Sequence, residues 1–137
     1  MNVERTLLIV KPDGVSRGLV GDVLLRVEHK GYRIEKIKSL TMDRDLAARH
    51  YAEHEGEPFY DKLIDYITEG PVVVAIISGE NSIENLRKIM GATDPLDATA
   101  GSIRGSYATS VTRNLVHGSD SPESAAFEIA LFFPDTG

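Results

Sequence analysis

Two short apolar runs, residues 6–10 and 72–77, stand among stretches of helical periodicity, and two weaker extended segments, residues 32–40 and 115–117, bring the strand count to four. Strands that alternate with helices, two of them apolar enough to be covered on both faces, predict an α/β (α+β) sandwich. Four strands at this spacing fit a split βαβ arrangement. The expected topology is therefore ferredoxin-like, a four-stranded antiparallel sheet with flanking helices. A length of 137 residues fits one domain over 1–137, large enough to bury a core without metal or disulfide.

The first run ends in Lys11-Pro12-Asp13-Gly14, where proline and glycine predict a turn and place Lys11 at the strand's end. Val20, Val23, Leu24 and Val27 recur at helical spacing, and Gly31 closes that helix. Residues 32–40 alternate imperfectly between apolar and charged, as a strand with one wet face and a bulge near Ile37 would. Asp43 is a suitable N-cap for a helix with Ala47, His50, Tyr51 and His54 on one side, before the breaker Gly56-Glu57-Pro58. The next helix carries Phe59, Leu63, Ile64 and Ile67 as its stripe and stops at Gly70-Pro71.

Residues 72–77 are β-branched except for Ala75, which predicts a second interior strand. Ser82 opens a helix that buries Ile83, Leu86 and Met90. Residues 91–110 are rich in Gly, Ala, Thr, Ser and Asp with little periodicity, so a long ordered loop is expected, and such loops are usually functional. Ser121-Pro122-Glu123 supplies a cap, a proline at the first position and an acid in the first turn. Ala125, Ile129 and Phe132 give that last helix its buried stripe.

Fifteen basic against 21 acidic residues give a net charge of −6, which disfavours nonspecific binding to nucleic acid or an anionic membrane. A local basic cluster around a small anion remains compatible with that balance. No cysteine is present, which excludes disulfides, thiolate metal sites and cysteine nucleophiles. The apolar run at residues 7–10 is too short for a signal or membrane segment, and the expected location is cytoplasmic.

The chemistry concentrates in Asn114-Leu115-Val116-His117-Gly118-Ser119-Asp120. A neutral imidazole is a usable nucleophile near neutral pH, and the glycine beside it lets a ligand approach closely. A lone histidine in such a turn is usually just a loop residue, so the weight comes from charges elsewhere. Glu128 borders the apolar stripe of the helix that follows, from where its carboxylate can reach back to the imidazole. Holding one ring nitrogen fixes the tautomer and frees the other. Arg87 falls within an apolar stripe, where a guanidinium needs an anion or must snorkel to water. Arg104 in Ile103-Arg104-Gly105, together with Thr93, makes residues 91–110 a candidate phosphate clamp, since no Walker or GxGxxG sequence occurs. Phe59 reads as core or as a stacking face for a base. A competing motif, His50-Tyr51-Ala52-Glu53-His54, matches the HxxEH pattern of inverted zinc proteases, but it lacks a third ligand.

Taken together, Lys11-Pro12-Asp13-Gly14, residues 51–59, Arg87, Thr93, Arg104 and the NxxHGSD stretch followed by Glu128 resemble nucleoside diphosphate kinase, from about residue 5 to residue 133. The resemblance implies ping-pong transfer of the γ-phosphate, mainly from ATP, to His117 and then to a nucleoside diphosphate. It implies catalytic positions at His117, Glu128, Lys11, Tyr51 and Ser119, with Glu128 orienting the ring and Ser119 supporting that contact. Arg87, Thr93, Arg104 and His54 match positions that hold nucleotide phosphates. Asn114 and Lys11 match those at the sugar, Phe59 and Val111 those that sandwich the base, and Leu63 and Gly118 join the nucleotide-binding set.

Mg²⁺ is the implied cofactor, held mainly by the nucleotide phosphates, with Asp120 either helping to organise it or only capping the turn. The implied partners are nucleoside tri- and diphosphates and further copies of the chain in a homo-oligomer, with no nucleic acid or membrane required. Ser106, Ala100 and Thr112 depart from the usual Asp, Pro and Gly of the family, while Pro95 agrees with it. Little chain follows Phe133, where many relatives carry a longer tail that shapes subunit contacts. Tetramer and hexamer are both expectations. From a different class, a ferredoxin-like module that binds nucleotide without turnover is the alternative.

Overall fold

The computed structural model describes residues 3–136. Among these, strands β1 (Val3–Val10), β2 (Arg33–Leu40), β3 (Val72–Glu80) and β4 (Val116–Gly118) form a sheet in the order β2-β3-β1-β4, every neighbouring pair antiparallel. The helices are α1 (Pro12–Ser16), α2 (Val20–His29), α3 (Arg44–His50), α4 (Tyr60–Ile67), α5 (Ser82–Met90), α6 (Ile103–Tyr107) and α7 (Pro122–Phe132). Helical crossovers between strands in this order make the ferredoxin-like sandwich that the apolar runs predict.

The two continuous runs become the two central strands, and their alternation sorts the core into two layers. Leu7 and Ile9 of β1 with Val72, Val74 and Ile76 of β3 face one side, packed against Ala47, Ile64, Ile67 and Phe132. Leu8 and Val10 with Ala75 and Ile77 face the other, against Val23, Val27, Leu86, Met90 and Ile103. Each such side chain, at or near zero exposure, contributes on the order of 1.5–3 kcal/mol. Because both faces are covered, polar positions drop out of the middle of these strands.

Four local expectations are corrected. Residues 12–16 form a helical turn, α1, instead of a simple turn, since Pro12 at its first position has φ already set for a helix. The β2 bulge falls between Ile34 and Lys36, not at Ile37, which pairs with Ala75 and is 48% exposed. Helix α3 ends at His50, and His54 lies on a separate 3₁₀ turn, Ala52–His54. Residues 91–110 contain a 3₁₀ turn, Pro95–Asp97, and the single-turn helix α6. Both are set by caps, not by periodicity: Asp94 accepts from Leu96 N and Ser102 from Gly105 N.

Candidate active site

The site is assembled where β4 is stitched to β1. Ile9 pairs with His117, and two contacts flank this three-residue ladder: Lys11 N donates to Leu115 O at 2.8 Å and Ser119 N to Leu7 O at 3.2 Å. Leu7 N in turn donates to Ser119 Oγ at 3.2 Å. Leu115 enters the strand with φ 78°, an uncommon conformation for a branched residue, held there with its side chain fully buried. Two glycines permit this crowding. A Cβ on Gly14 would lie 3.0 Å from Leu115 O, and one on Gly118 would lie 2.5 Å from Met90 Cε.

Helix α7 starts just after the strand, its entry fixed by a capping box between Ser121 and Ser124. Two turns in, Glu128 is buried and points back to the strand. Its Oε1 lies 2.9 Å from His117 Nε2 and accepts from Ser119 Oγ at 2.6 Å. The carboxylate thus assigns the proton to Nε2 and leaves Nδ1 for a ligand.

His50 closes the back of the site. Its ring meets His117 edge-on, centroids 4.8 Å apart, and Phe132 at 5.5 Å. It is buried, and neither nitrogen has a hydrogen-bond partner among the described residues. Leaving such a group unpaired costs about 1–3 kcal/mol. Burial first, then the nearby His117, Lys11 and His54, pushes its pKa well below the usual histidine value and keeps it neutral. Tyr51 follows, its buried hydroxyl likewise without a partner and its pKa pushed up to about 12 by burial and the charge of Glu128.

Cations occupy the opposite wall. Lys11 is buried at the end of β1, donates from Nζ to Asn114 Oδ1 at 2.9 Å, and is brought down to about 7 by burial and the charge of Arg104. Asn114 is oriented by donating to Val111 O at 2.9 Å and Thr93 O at 3.3 Å. Arg104 also has a structural job that nothing in its local sequence signals. Its guanidinium donates to Val116 O at 2.6 Å, Gly91 O at 2.8 Å and Asn114 O at 3.3 Å, bracing the loop against the strand. Burial, then Arg87, lowers its pKa to about 10. Arg87 itself snorkels from α5 to the surface and donates to Gly118 O at 3.2 Å.

These residues enclose a cavity of about 300 Å³, lined by Lys11, His50, Tyr51, Glu53, His54, Arg87, Thr93, Arg104, Asn114, His117, Gly118, Asp120 and Glu128. A larger groove of about 1140 Å³ between α2 and α5 shares Arg87, Thr93 and Asp120 with it, but the buried ionisable groups Lys11, His50, Tyr51, Arg104 and Glu128 converge in the smaller cavity. Ser119 sits behind Glu128, fully buried. Phe59 and Val111 lie outside this lining, 44% and 55% exposed, as free apolar faces. Leu63 packs partly buried against the core. The HxxEH reading fails on geometry. With α3 broken after His50, His54 turns to Glu53 at 3.7 Å and to the Phe59 ring, away from His50's partners.

The nucleoside diphosphate kinase family model matches residues 4–137. The chain is 56% identical over 131 residues to a nucleoside diphosphate kinase of Thermomicrobium roseum, covering 96% of this chain and 88% of that one. It is 54% identical over 134 residues to one from Frankia casuarinae, covering 98% of each. Among solved structures, a halophilic nucleoside diphosphate kinase from Halobacterium salinarum in complex with CDP superposes with a TM-score of 0.94 at 47% identity. That match covers 96% of this chain and 88% of the other. With the buried carboxylate, the oriented imidazole and the cationic wall all in one cleft, and relatives matching over nearly the full length, the chain belongs to the nucleoside diphosphate kinase family.

Proposed function

We propose that the chain, acting as one domain over residues 1–137, is a nucleoside diphosphate kinase that works by ping-pong through a phosphohistidine. The observation that carries this reading is the contact of His117 Nε2 with Glu128 Oε1 at 2.9 Å, which leaves the other nitrogen of a ring that lines the cationic cavity free to attack. In the first half-reaction, His117 Nδ1 attacks the γ-phosphorus of a nucleoside triphosphate. The new N–P bond forms as the bond to the β-phosphate oxygen breaks, and the nucleoside diphosphate leaves. In the second, a terminal oxygen of another nucleoside diphosphate attacks the same phosphorus and the N–P bond breaks. The Nε2 proton stays shared with Glu128 throughout.

A loose transition state asks for positioning and charge neutralisation more than bond chemistry, and the residues divide that work. Arg87, Arg104, Thr93 and His54 take the phosphates. Lys11 and Tyr51 flank the transferred group, while Asn114 and Lys11 reach the sugar. Phe59 and Val111 offer apolar faces to the base, with Leu63 supporting from behind and Gly118 admitting the nucleotide close to the backbone. Faces do not read base edges, so purines and pyrimidines are both accepted. The Halobacterium relative bound to CDP supports a pyrimidine nucleotide as one such ligand.

Mg²⁺ fits this site as an ion carried by the nucleotide. Asp120, kept below the usual carboxylate range by its hydrogen bonding to Ser124, offers one exposed oxygen donor at the rim, and phosphates supply the rest. When bound, the ion neutralises phosphate charge. The reading places the chain in the cytoplasm, and no described helix is long and apolar enough to cross a membrane. The edge position of β2 and the exposed Ile37 and Phe127 support a homo-oligomer, tetramer or hexamer, to be settled by sedimentation.

The test is to mix the protein with γ-labelled ATP and Mg²⁺, remove free nucleotide and add CDP. Acid-labile, base-stable label on His117 that passes to CDP is expected, and is lost in His117→Ala while nucleotide binding persists. Folded protein that binds nucleotide but takes no label is the nucleotide-binding module instead.

A further inference from the structure

His50 does nothing in that mechanism that explains two buried, unpaired ring nitrogens beside the nucleophile. One nitrogen of His50, one of His117 and one oxygen of Glu128 all lie within 4.8 Å of one another. Two imidazoles and a carboxylate are the ligand set of open zinc sites, in which a fourth position faces solvent or a ligand. Here all three residues line the cavity. Ligand atoms around a tetrahedral ion at about 2.0–2.1 Å lie roughly 3.3 Å apart, so closing the site takes side-chain shifts on the order of 1 Å. His117 Nε2 and Glu128 are already in contact at 2.9 Å, so an ion there would take Nε2 as the proton it carries moves to Nδ1 and ties up the attacking lone pair. The residue that must close in is the unpartnered His50.

We propose that His50, His117 and Glu128 form a binding site for a divalent transition-metal ion of the zinc type, and that its occupancy withholds the His117 imidazole from phosphoryl transfer. Imidazole nitrogen selects Zn²⁺, Cu²⁺ or Co²⁺ over Mg²⁺, which prefers oxygen and keeps its water. The working Mg²⁺ and the blocking ion therefore choose different places in one cleft. Mg²⁺ stays with the nucleotide phosphates, and the softer ion takes the nitrogens. This also reassigns the metal-binding potential of His50. Its partners come from β4 and α7, 67 and 78 positions away in sequence, and not from His54 on the neighbouring turn.

Metal binding stands on this geometry alone, and the inhibition rests on the kinase reading. The full-length protein is titrated with Co²⁺ alone, and the visible absorption of a four-coordinate ion is read. One ion per chain is expected. Affinity should fall at least about tenfold in His50→Gln and in His117→Gln, and stay unchanged in the double variant Glu53→Gln, His54→Gln. Should His50→Gln not fold, the ring-nitrogen NMR shifts of His50 and His117 in the unaltered chain must both move on adding Zn²⁺. Zn²⁺ at one equivalent should also suppress labelling from ATP in excess Mg²⁺. No saturable band, or binding that survives His50→Gln but is lost in the Glu53, His54 variant, overturns the site. A chain that shows the band but takes no label from ATP overturns the kinase reading and leaves the metal site standing.

Discussion

His117 Nε2 and Glu128 Oε1 meet at 2.9 Å across the junction of β4 and α7, and Ser119 Oγ donates to the same oxygen at 2.6 Å. One carboxylate oxygen therefore sets both the tautomer and the angle of the imidazole. Glu128→Gln keeps the shape but removes the charge that favours the Nε2 proton. Transfer kcat should fall roughly 100-fold with KM little changed. Ser119→Ala removes only the supporting donor, and a fall of about tenfold is expected. Steady-state assays with ATP and CDP separate the two.

Binding of a phosphate beside Lys11 should take up a proton. In the free chain its pKa is about 7 instead of 10.5, because burial and Arg104 disfavour the cation. Bound phosphates favour the cation and raise the value again. Above pH 7, where the free lysine is largely neutral, binding must take up a proton, and affinity should decline as pH rises from 7 toward 9. Calorimetry at pH 8 in buffers of different ionisation enthalpy should show uptake approaching one proton in the wild type and almost none in Lys11→Met.

Arg104 is a brace, since its guanidinium reaches three backbone carbonyls, besides the phosphate role proposed for it. Lysine keeps the charge but not the fork. Arg104→Lys should lose about 2–4 kcal/mol of folding stability in urea unfolding without nucleotide. A pure ligand residue would leave that midpoint where it was.

Phe59 is an exposed ring with no polar atom, so a base stacked on it would be held by its face alone. Phe59→Ala should weaken binding by about 1–3 kcal/mol, equally for ADP and CDP in equilibrium titration. Unequal losses would mean that base edges are read.

The central strands were legible because residues 7–10 and 72–77 are apolar at every turn of the pleat, a pattern that a sheet covered on both faces explains. The pairing of His117 with Glu128 was legible too, because only a tight turn and a capped helix separate them. His50 was not. Its approach to His117 depends on how α3 packs on the sheet, and nothing in the local sequence encodes a contact spanning 67 positions. The short helices α1 and α6 escaped for another reason. Five residues cannot show a period of 3.6, and only their proline and serine caps betray them.

His117 rides on a strand of three residues at the edge of the sheet, a place where chains ordinarily fray. Yet hydrogen bonds from Lys11 and Leu7 clamp it at both ends to the central strand, whose side chains fill both cores. The edge strand can therefore open only with the sheet. Heat or denaturant should extinguish turnover and tertiary structure in a single step, and the working lifetime of the protein is set by its global unfolding rate.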